Sequence, residues 1–160
     1  MDGGELQDCE IAWNIAGANA SGGGLHLRGA AAVRRCHIHD NQAGIDGGGA
    51  MFYSPSLLES CLLENNVAQR WGGGVALYAT YSGRPTIRNC TIAKNNTGLY
   101  TYANGGGYVY NSIIYFNETN DVYGYYGPPA SLSMSYSCAH FTNTTSGNIT
   151  NDPFFVDSAA

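Results

Sequence analysis

His37 and His39 are the residues with the plainest capacity for chemistry. One residue separates them, and side chains along a strand alternate between faces, so both imidazoles point to the same side of an extended segment. The stretch Cys36-His37-Ile38-His39 has counterparts in Cys9-Glu10-Ile11-Ala12 and Cys61-Leu62-Leu63-Glu64. Laid side by side, the three segments put Glu10 next to His37 and Glu64 next to His39, with Cβ atoms about 5 Å apart. Two imidazoles and two carboxylates can serve as general acid and base or gather a metal ion. Asp40, Arg88 and Lys94 fall within a segment or two. The same pattern also describes a solvated row of cross-strand charge pairs, each worth about a few tenths of a kcal/mol. The charge-row reading is favoured, because nothing in the spacing is specific to catalysis, and no metal site is assigned.

A second chemistry is stacking. Trp71 and the turn-rich run Tyr123-Gly124-Tyr125-Tyr126-Gly127-Pro128-Pro129 offer rings that can lie against sugars, with Tyr123, Tyr125 and Tyr126 carried on a loop. These four aromatic residues are the ligand-binding candidates, although for the tyrosine loop the favoured reading is that its rings shield the side of the folded chain. A third chemistry, elimination on uronates, needs a base and several oxygen ligands converging on calcium. Glu10, Asp40, Asp46, Glu59, Glu64, Glu118, Asp121 and Asp152 are scattered and rarely fall in register. No cofactor is therefore expected, and calcium enters only under a lyase reading. Asp46, just before Gly47, reads as turn chemistry.

What must position these groups is a repeat. Cys9, Cys36, Cys61, Cys90, Ser112 and Cys138 stand at intervals of 27, 25, 29, 22 and 26 residues, a period that marks a solenoid. Five residues after each anchor comes an asparagine: Asn14, Asn41, Asn66, Asn95, Asn117 and Asn143. Two residues after the anchor stand Ile11, Ile38, Leu63, Ile92 and Ile114, with a break at His140. Anchor and +2 residue point inward from a short strand, while +1 and +3 point out. The asparagine is expected to bend the chain through a left-handed conformation and to bond its equivalents above and below. Triple glycines at 22–24, 47–49, 72–74 and 105–107 then make a positive-φ bend before a further strand, at Leu25-His26-Leu27, Ala50-Met51-Phe52, Val75-Ala76-Leu77 and Tyr108-Val109-Tyr110. A strand is also expected from Ser131 to Cys138, and residues 147–160, with Pro153 and two phenylalanines, are expected to close the stack. The fold expected is all-β, a right-handed parallel β-helix of about six coils forming one domain over residues 1–160, with coils starting near 9, 36, 61, 90, 112 and 138.

Composition narrows the function classes. A net charge of −5 with 12% charged residues gives nucleic acid no basic stripe to bind. No apolar run reaches the ~18 residues of a membrane span, and Met1-Asp2-Gly3-Gly4 does not read as a signal peptide. The chain is expected to be a piece of a longer β-helix, because a solenoid needs a cap over its exposed end, and an uncapped first coil leaves end-to-end self-association open. The five cysteines are odd in number and lack a Cys-x-x-Cys pair, so a buried thiol ladder is expected rather than disulfides or zinc. Asn-x-Thr triplets at Asn89, Asn95, Asn117, Asn143 and Asn148 read as repeat grammar rather than as glycosylation signals.

The units Cys/Ser-x-Ile-x-x-Asn-x-Ala/Thr followed by Gly-Gly-Gly-apolar resemble the right-handed β-helix repeats of large bacterial secreted and surface proteins. The Gly-Gly-Gly-Leu, Gly-Gly-Gly-Ala and Gly-Gly-Gly-Val steps at 22–25, 47–50 and 72–75, with Phe116-Asn117, look like repeats of polymorphic outer membrane proteins. The tail from Gly147 to Asp157 is similar to the end of the helix in anchored surface proteins of the pectate-lyase-like superfamily. The resemblance implies a scaffold shared by adhesins, polysaccharide lyases and hydrolases, so function rests on the site. The expectation is a non-catalytic secreted or cell-surface segment, on a bacterial outer surface, serving adhesion, glycan contact or a structural role, with a polysaccharide or host-surface glycan as partner. The alternative is part of a polysaccharide lyase or glycoside hydrolase using His37, His39, Glu64 and Glu10.

Overall fold

The computed structural model describes residues 1–78, 83–102, 105–125, 132–140 and 147–153. Its strands are short and all pair in parallel. Three walls result, each built by stacking the same segment of successive coils, and the chain winds as a right-handed parallel β-helix of about five full turns. The anchor wall runs Glu10–Ala12, His37–His39, Leu62–Glu64, Thr91–Ala93, Ile113–Ile114 and Cys138–Ala139. The aromatic wall stacks the start of Leu25–Arg34 with Ala50–Phe52, Val75–Leu77, Leu99–Thr101 and Val122–Gly124. The third wall stacks Asp2–Gln7, the end of Leu25–Arg34, Leu57–Glu59, Thr86–Arg88, Gly107–Tyr110 and Leu132–Ser135. Leu27, Val33 and Ile38 point inward from one coil, and Phe52, Leu58 and Leu63 from the next, all fully buried. Each coil thus covers the apolar interior of its neighbour, which is where the stability of such an array resides.

Two corners per coil turn the chain between walls. Every non-glycine residue with positive φ among the described residues sits at one of them. Asp8, Arg35, Ser60, Asn89, Asn111 and Tyr136 immediately precede the anchors, and Trp13, Asp40, Asn65, Lys94 and Phe116 immediately precede the asparagines. The left-handed conformation expected of the ladder asparagine therefore belongs to the residue before it. Such a residue costs about 1–2 kcal/mol, and inter-coil hydrogen bonds offset the cost: Arg35 N–H donates to Glu59 O at 3.0 Å and Ser60 N–H to Arg88 O at 3.0 Å.

The anchors have a role that apolar packing alone does not explain. Cys36 N–H donates to Cys61 Sγ at 3.4 Å, Cys61 N–H to Cys90 Sγ at 3.5 Å, and Cys90 N–H to Ser112 Oγ at 3.2 Å. Ser112 N–H continues to Ser137 Oγ at 3.1 Å, and Ser137 N–H ends on Asn148 Oδ1 at 3.0 Å. A small side chain with an acceptor atom is what the position demands, and serine meets the demand as cysteine does. Cys36, Cys61, Cys90 and Cys138 are buried and free, and Cys9 is half-buried and free. Burial pushes the Cys36 thiol above its ordinary value.

The asparagine ladder runs beside the anchors. Asn14 donates to Asn41 Oδ1 at 2.9 Å, Asn41 to Asn66 at 3.0 Å, Asn66 to Asn95 at 3.0 Å and Asn95 to Asn117 at 3.0 Å. Asp121 ends it, its Oδ1 accepting from Asn117 Nδ2 at 2.9 Å. Asn143 lies outside the described residues. The amides of Asn95, Asn117 and Asn148 are engaged in this way or on backbone carbonyls.

Four sequence expectations are corrected here. Ser137, not Cys138, stacks on Ser112, so the sixth coil begins one residue earlier; the inward +2 residue is then Ala139, which pairs with Ile114, and the apparent break at His140 disappears. Tyr108–Tyr110 is not the fourth strand of the aromatic wall, because Tyr108 pairs with Thr86 in the third wall, while Leu99 takes the place above Val75. The glycines at 105–107 accordingly do not repeat the bend of the first three triplets, where Gly22, Gly47 and Gly72 have φ of +77°, +68° and +64°. Tyr123 lies in a strand, Val122–Gly124, rather than in a loop, and the strand expected from 131 to 138 ends at Ser135 before the corner at Tyr136. At the C-terminal end Cys138 bridges to Ile149, and Phe154 and Phe155 lie outside the described residues.

Candidate functional site

The anchor wall brings His37, His39, Glu10 and Glu64 together, with Glu10 in register with His37 and Glu64 with His39. The side chains pair across that register. His37 Nε2 lies 3.0 Å from Glu64 Oε1, and His39 Nε2 lies 2.8 Å from Glu10 Oε1. His39 Nδ1 is 2.7 Å from Asp40 Oδ2. The two imidazoles stand 4.1 Å apart and Trp13 sits edge-on to His39 at 6.4 Å. Lys94 reaches Glu64 at 3.9 Å, whereas Arg88 belongs to the third wall, where it pairs with Glu59 at 2.7 Å. In that wall Arg34 bridges Glu5 and Glu59, so charge alternates along the row.

Carboxylates on both nitrogens of His39 favour the doubly protonated ring, in which both nitrogens donate. Asp40 first and Glu10 second raise its pKa above the ordinary value of 6.5. The sign follows directly. A raised folded-state pKa gives stability that is complete below pH 6.5 and is lost as pH climbs through the folded value. The other charged groups facing His39 are Glu64 and Lys94, with His37 beside it. Urea midpoints should fall from pH 6.5 upward in the native chain and stay flatter in His39→Gln; parallel pH profiles for the two would contradict this assignment. Neither nitrogen of His39 nor Nε2 of His37 is left to take a proton from a substrate while these pairs stand. Among the described residues no group of three or more His, Cys, Asp or Glu side chains is arranged to hold a metal ion.

The aromatic wall holds the second cluster. Tyr53, Tyr78, Tyr102 and Tyr125 each follow a strand of that wall, and their N–H groups donate to Leu27, Phe52, Leu77 and Thr101 of the preceding coil, which places all four in one row. Arg28 heads the row, its guanidinium 5.4 Å from the Tyr53 ring. Tyr53 and Tyr78 lie 5.2 Å apart, and Tyr78 and Tyr102 lie 4.7 Å apart. The adjacent outward positions are His26, Met51, Ala76, Tyr100 and Tyr123. Trp71, beside Asp46 in register, stacks on Tyr100 at 5.2 Å and meets Tyr123 at 5.7 Å. Trp71 and Tyr123, 52 residues apart in sequence, are thus neighbours two coils apart. Tyr125 is the last member of the row among the described residues and is exposed. Tyr126 lies outside the described residues.

Asp46 is more than a turn residue. Its carboxylate is buried at 1% exposure and receives Arg70 Nε at 3.1 Å, Arg70 Nη2 at 2.5 Å and the Tyr102 hydroxyl. Arg70 Nη2 also donates to Tyr102 Oη at 2.8 Å. Burial, then the Asp46 carboxylate, hold the Tyr102 phenol well above its ordinary value, and the hydrogen bonds to Asp46 strengthen the protonated state of Arg70. In the sequence the fourth triple glycine draws Tyr108–Tyr110 into this wall and hides the place of Tyr102, and with it the row that Tyr53 and Tyr78 begin. The available signal was an aromatic residue one step past each apolar strand, in Phe52-Tyr53, Leu77-Tyr78 and Thr101-Tyr102.

The family described as right handed beta helix region matches residues 2–152. The chain belongs to the right-handed β-helix family. No curated protein and no solved structure matches it. Family membership accounts for the three parallel walls, the stacked interior and the inter-coil ladders of this β-helix. It assigns no substrate, so a functional reading rests on the geometry of surface clusters such as these two.

Proposed function

We propose that this β-helix is a non-catalytic, secreted or cell-surface module whose aromatic wall contacts a polysaccharide or a host or cell-surface glycan. The observation that carries the reading is the in-register row of Tyr53, Tyr78, Tyr102 and Tyr125, with Trp71 and Tyr123 beside it. Rings repeated coil by coil suit a ligand that is itself a chain of rings, whose C–H faces pack on electron-rich aromatic surface. The mutual saturation of His37, His39, Glu10, Glu64 and Asp40 supports a non-catalytic role. An enzyme of the lyase or hydrolase class would have to free His39 from two carboxylates before it could act as a base.

Substituting alanine for Tyr53, Tyr78 and Tyr125 together is expected to weaken glycan binding by about tenfold or more, since stacked aromatic contacts contribute ~0.5–1.5 kcal/mol each. Affinity electrophoresis in gels containing soluble glycans measures this directly. Unchanged retardation of the triple variant would remove the row from the binding face.

A further inference from the structure

Resting on the glycan reading, we propose that Trp71, Tyr100 and Tyr123, with Arg70, form a subsite for an uncharged pyranose ring. The three ring pairs stand 5.2, 5.7 and 6.0 Å apart; Trp71 is stacked on Tyr100 at 10°, and Tyr123 is inclined to the two by 32° and 28°. Tyr100 is 2% exposed, and its hydroxyl is the one buried side-chain polar atom among the described residues with no hydrogen-bond partner. Interior hydroxyls are nearly always paired, and leaving one unpaired carries a desolvation penalty. The hydroxyl is closed to solvent as the rings stand, so a hydroxyl of a bound sugar, or a water it orders, supplies the missing partner only when a neighbouring ring moves aside.

The neighbouring charges decide which sugar. Both oxygens of Asp46 accept from Arg70 or Tyr102 and the carboxylate is 1% exposed, which sets it back from a ligand on the surface. Arg70 uses Nε and Nη2 in these bonds, and among the described residues the N–H groups of Nη1 remain as donors on a side chain that is 53% exposed. Those donors suit hydroxyl oxygens. A uronate fits the site less well for two reasons: the Asp46–Arg70 pair is already neutral, and the chain carries −5 overall. The faces of Trp71 and Tyr123 also carry negative quadrupole potential, which attracts C–H and repels carboxylate. The subsite therefore selects a neutral hexose-type ring, with its C–H face on the aromatic group and its hydroxyls toward Arg70 and Tyr100.

The test is titration calorimetry of the whole chain and of Tyr100→Phe with neutral hexose oligomers and with uronate oligomers of equal length. Neutral oligomers should bind at least tenfold tighter than uronates. Tyr100→Phe should lose about fivefold in affinity for the neutral oligomer while its melting temperature stays level or rises, because the change removes only an unpaired hydroxyl. Equal or tighter uronate binding overturns the subsite and leaves the glycan reading standing, and so does Tyr100→Phe binding like the native chain. Failure of both sugar classes to bind overturns the glycan reading itself and the subsite with it.

Discussion

Replacing Asn66 by alanine is expected to destabilise the fold by about 3–4 kcal/mol, the larger of the two strongest effects, measured as a shift in urea midpoint at unchanged slope. Asn66 is fully buried in the middle of the ladder. Its Oδ1 accepts from the Asn41 backbone N–H at 3.1 Å and from Asn41 Nδ2 at 3.0 Å. Its Nδ2 donates to Ile38 O at 2.8 Å and to Asn95 Oδ1 at 3.0 Å. Alanine leaves two donors and one backbone carbonyl of the neighbouring coils short of partners in a space water does not reach, at about 1–3 kcal/mol for each group left unpaired, partly relieved by relaxation. Asn66→Asp should be no better, since it forfeits both amide donors and buries a charge. At the open end of the ladder Asn14 is exposed, and Asn14→Ala should cost about 1 kcal/mol or less. Equal losses at Asn14 and Asn66 would show that the amide ladder is incidental to stability.

The second large effect belongs to Arg70. Its truncation to alanine strands Asp46, a carboxylate at 1% exposure, with the Tyr102 hydroxyl as its remaining side-chain donor. Removing one partner of a buried ion pair costs ~3–5 kcal/mol; because Arg70 is itself half-exposed, a loss of about 2–3 kcal/mol is expected. The double variant Asp46→Ala/Arg70→Ala should recover much of that loss, because no unpaired charge then remains inside. Denaturation of the two single variants and the double variant decides the point. A double variant as unstable as the sum of the two singles would mean that Asp46 and Arg70 act independently, against the geometry described.

The anchor strands were legible in the sequence because an inward residue at the anchor and another two places on recur at 22 to 29 residues through the first five coils, each time with an asparagine three places further on. Coil boundaries were less so. Cys138 mimics the earlier anchors by residue type, but the position selects for a small side chain with an acceptor atom, and Ser137 satisfies it. The corners were displaced by one residue for a related reason. Trp13, Asp40, Asn65, Lys94 and Phe116 share a backbone conformation and no side-chain chemistry, so only the asparagine that follows them leaves a mark. The histidine cluster was found because strand register fixes which residues are neighbours, whereas the diagonal pairing of His37 with Glu64 and His39 with Glu10 is a matter of rotamers. Asp46, Arg70 and Tyr102 meet only when successive coils are stacked, 24 and 32 residues apart in sequence. Once the fourth glycine triplet is misaligned, Tyr102 loses its place above Asp46 and Arg70, and the continuation of the aromatic row is lost with it.

The most direct test of the glycan-contact account is incubation of the chain with a panel of neutral and acidic polysaccharides, with and without calcium. Retention on the polymer by co-sedimentation and polymer length by mass spectrometry are followed together. The account predicts retention on at least one polymer, no change in its length, and no dependence on calcium. Shortening of any polymer that is abolished by His39→Gln would contradict it and place catalysis on the anchor wall; absence of retention on every polymer would contradict it as well.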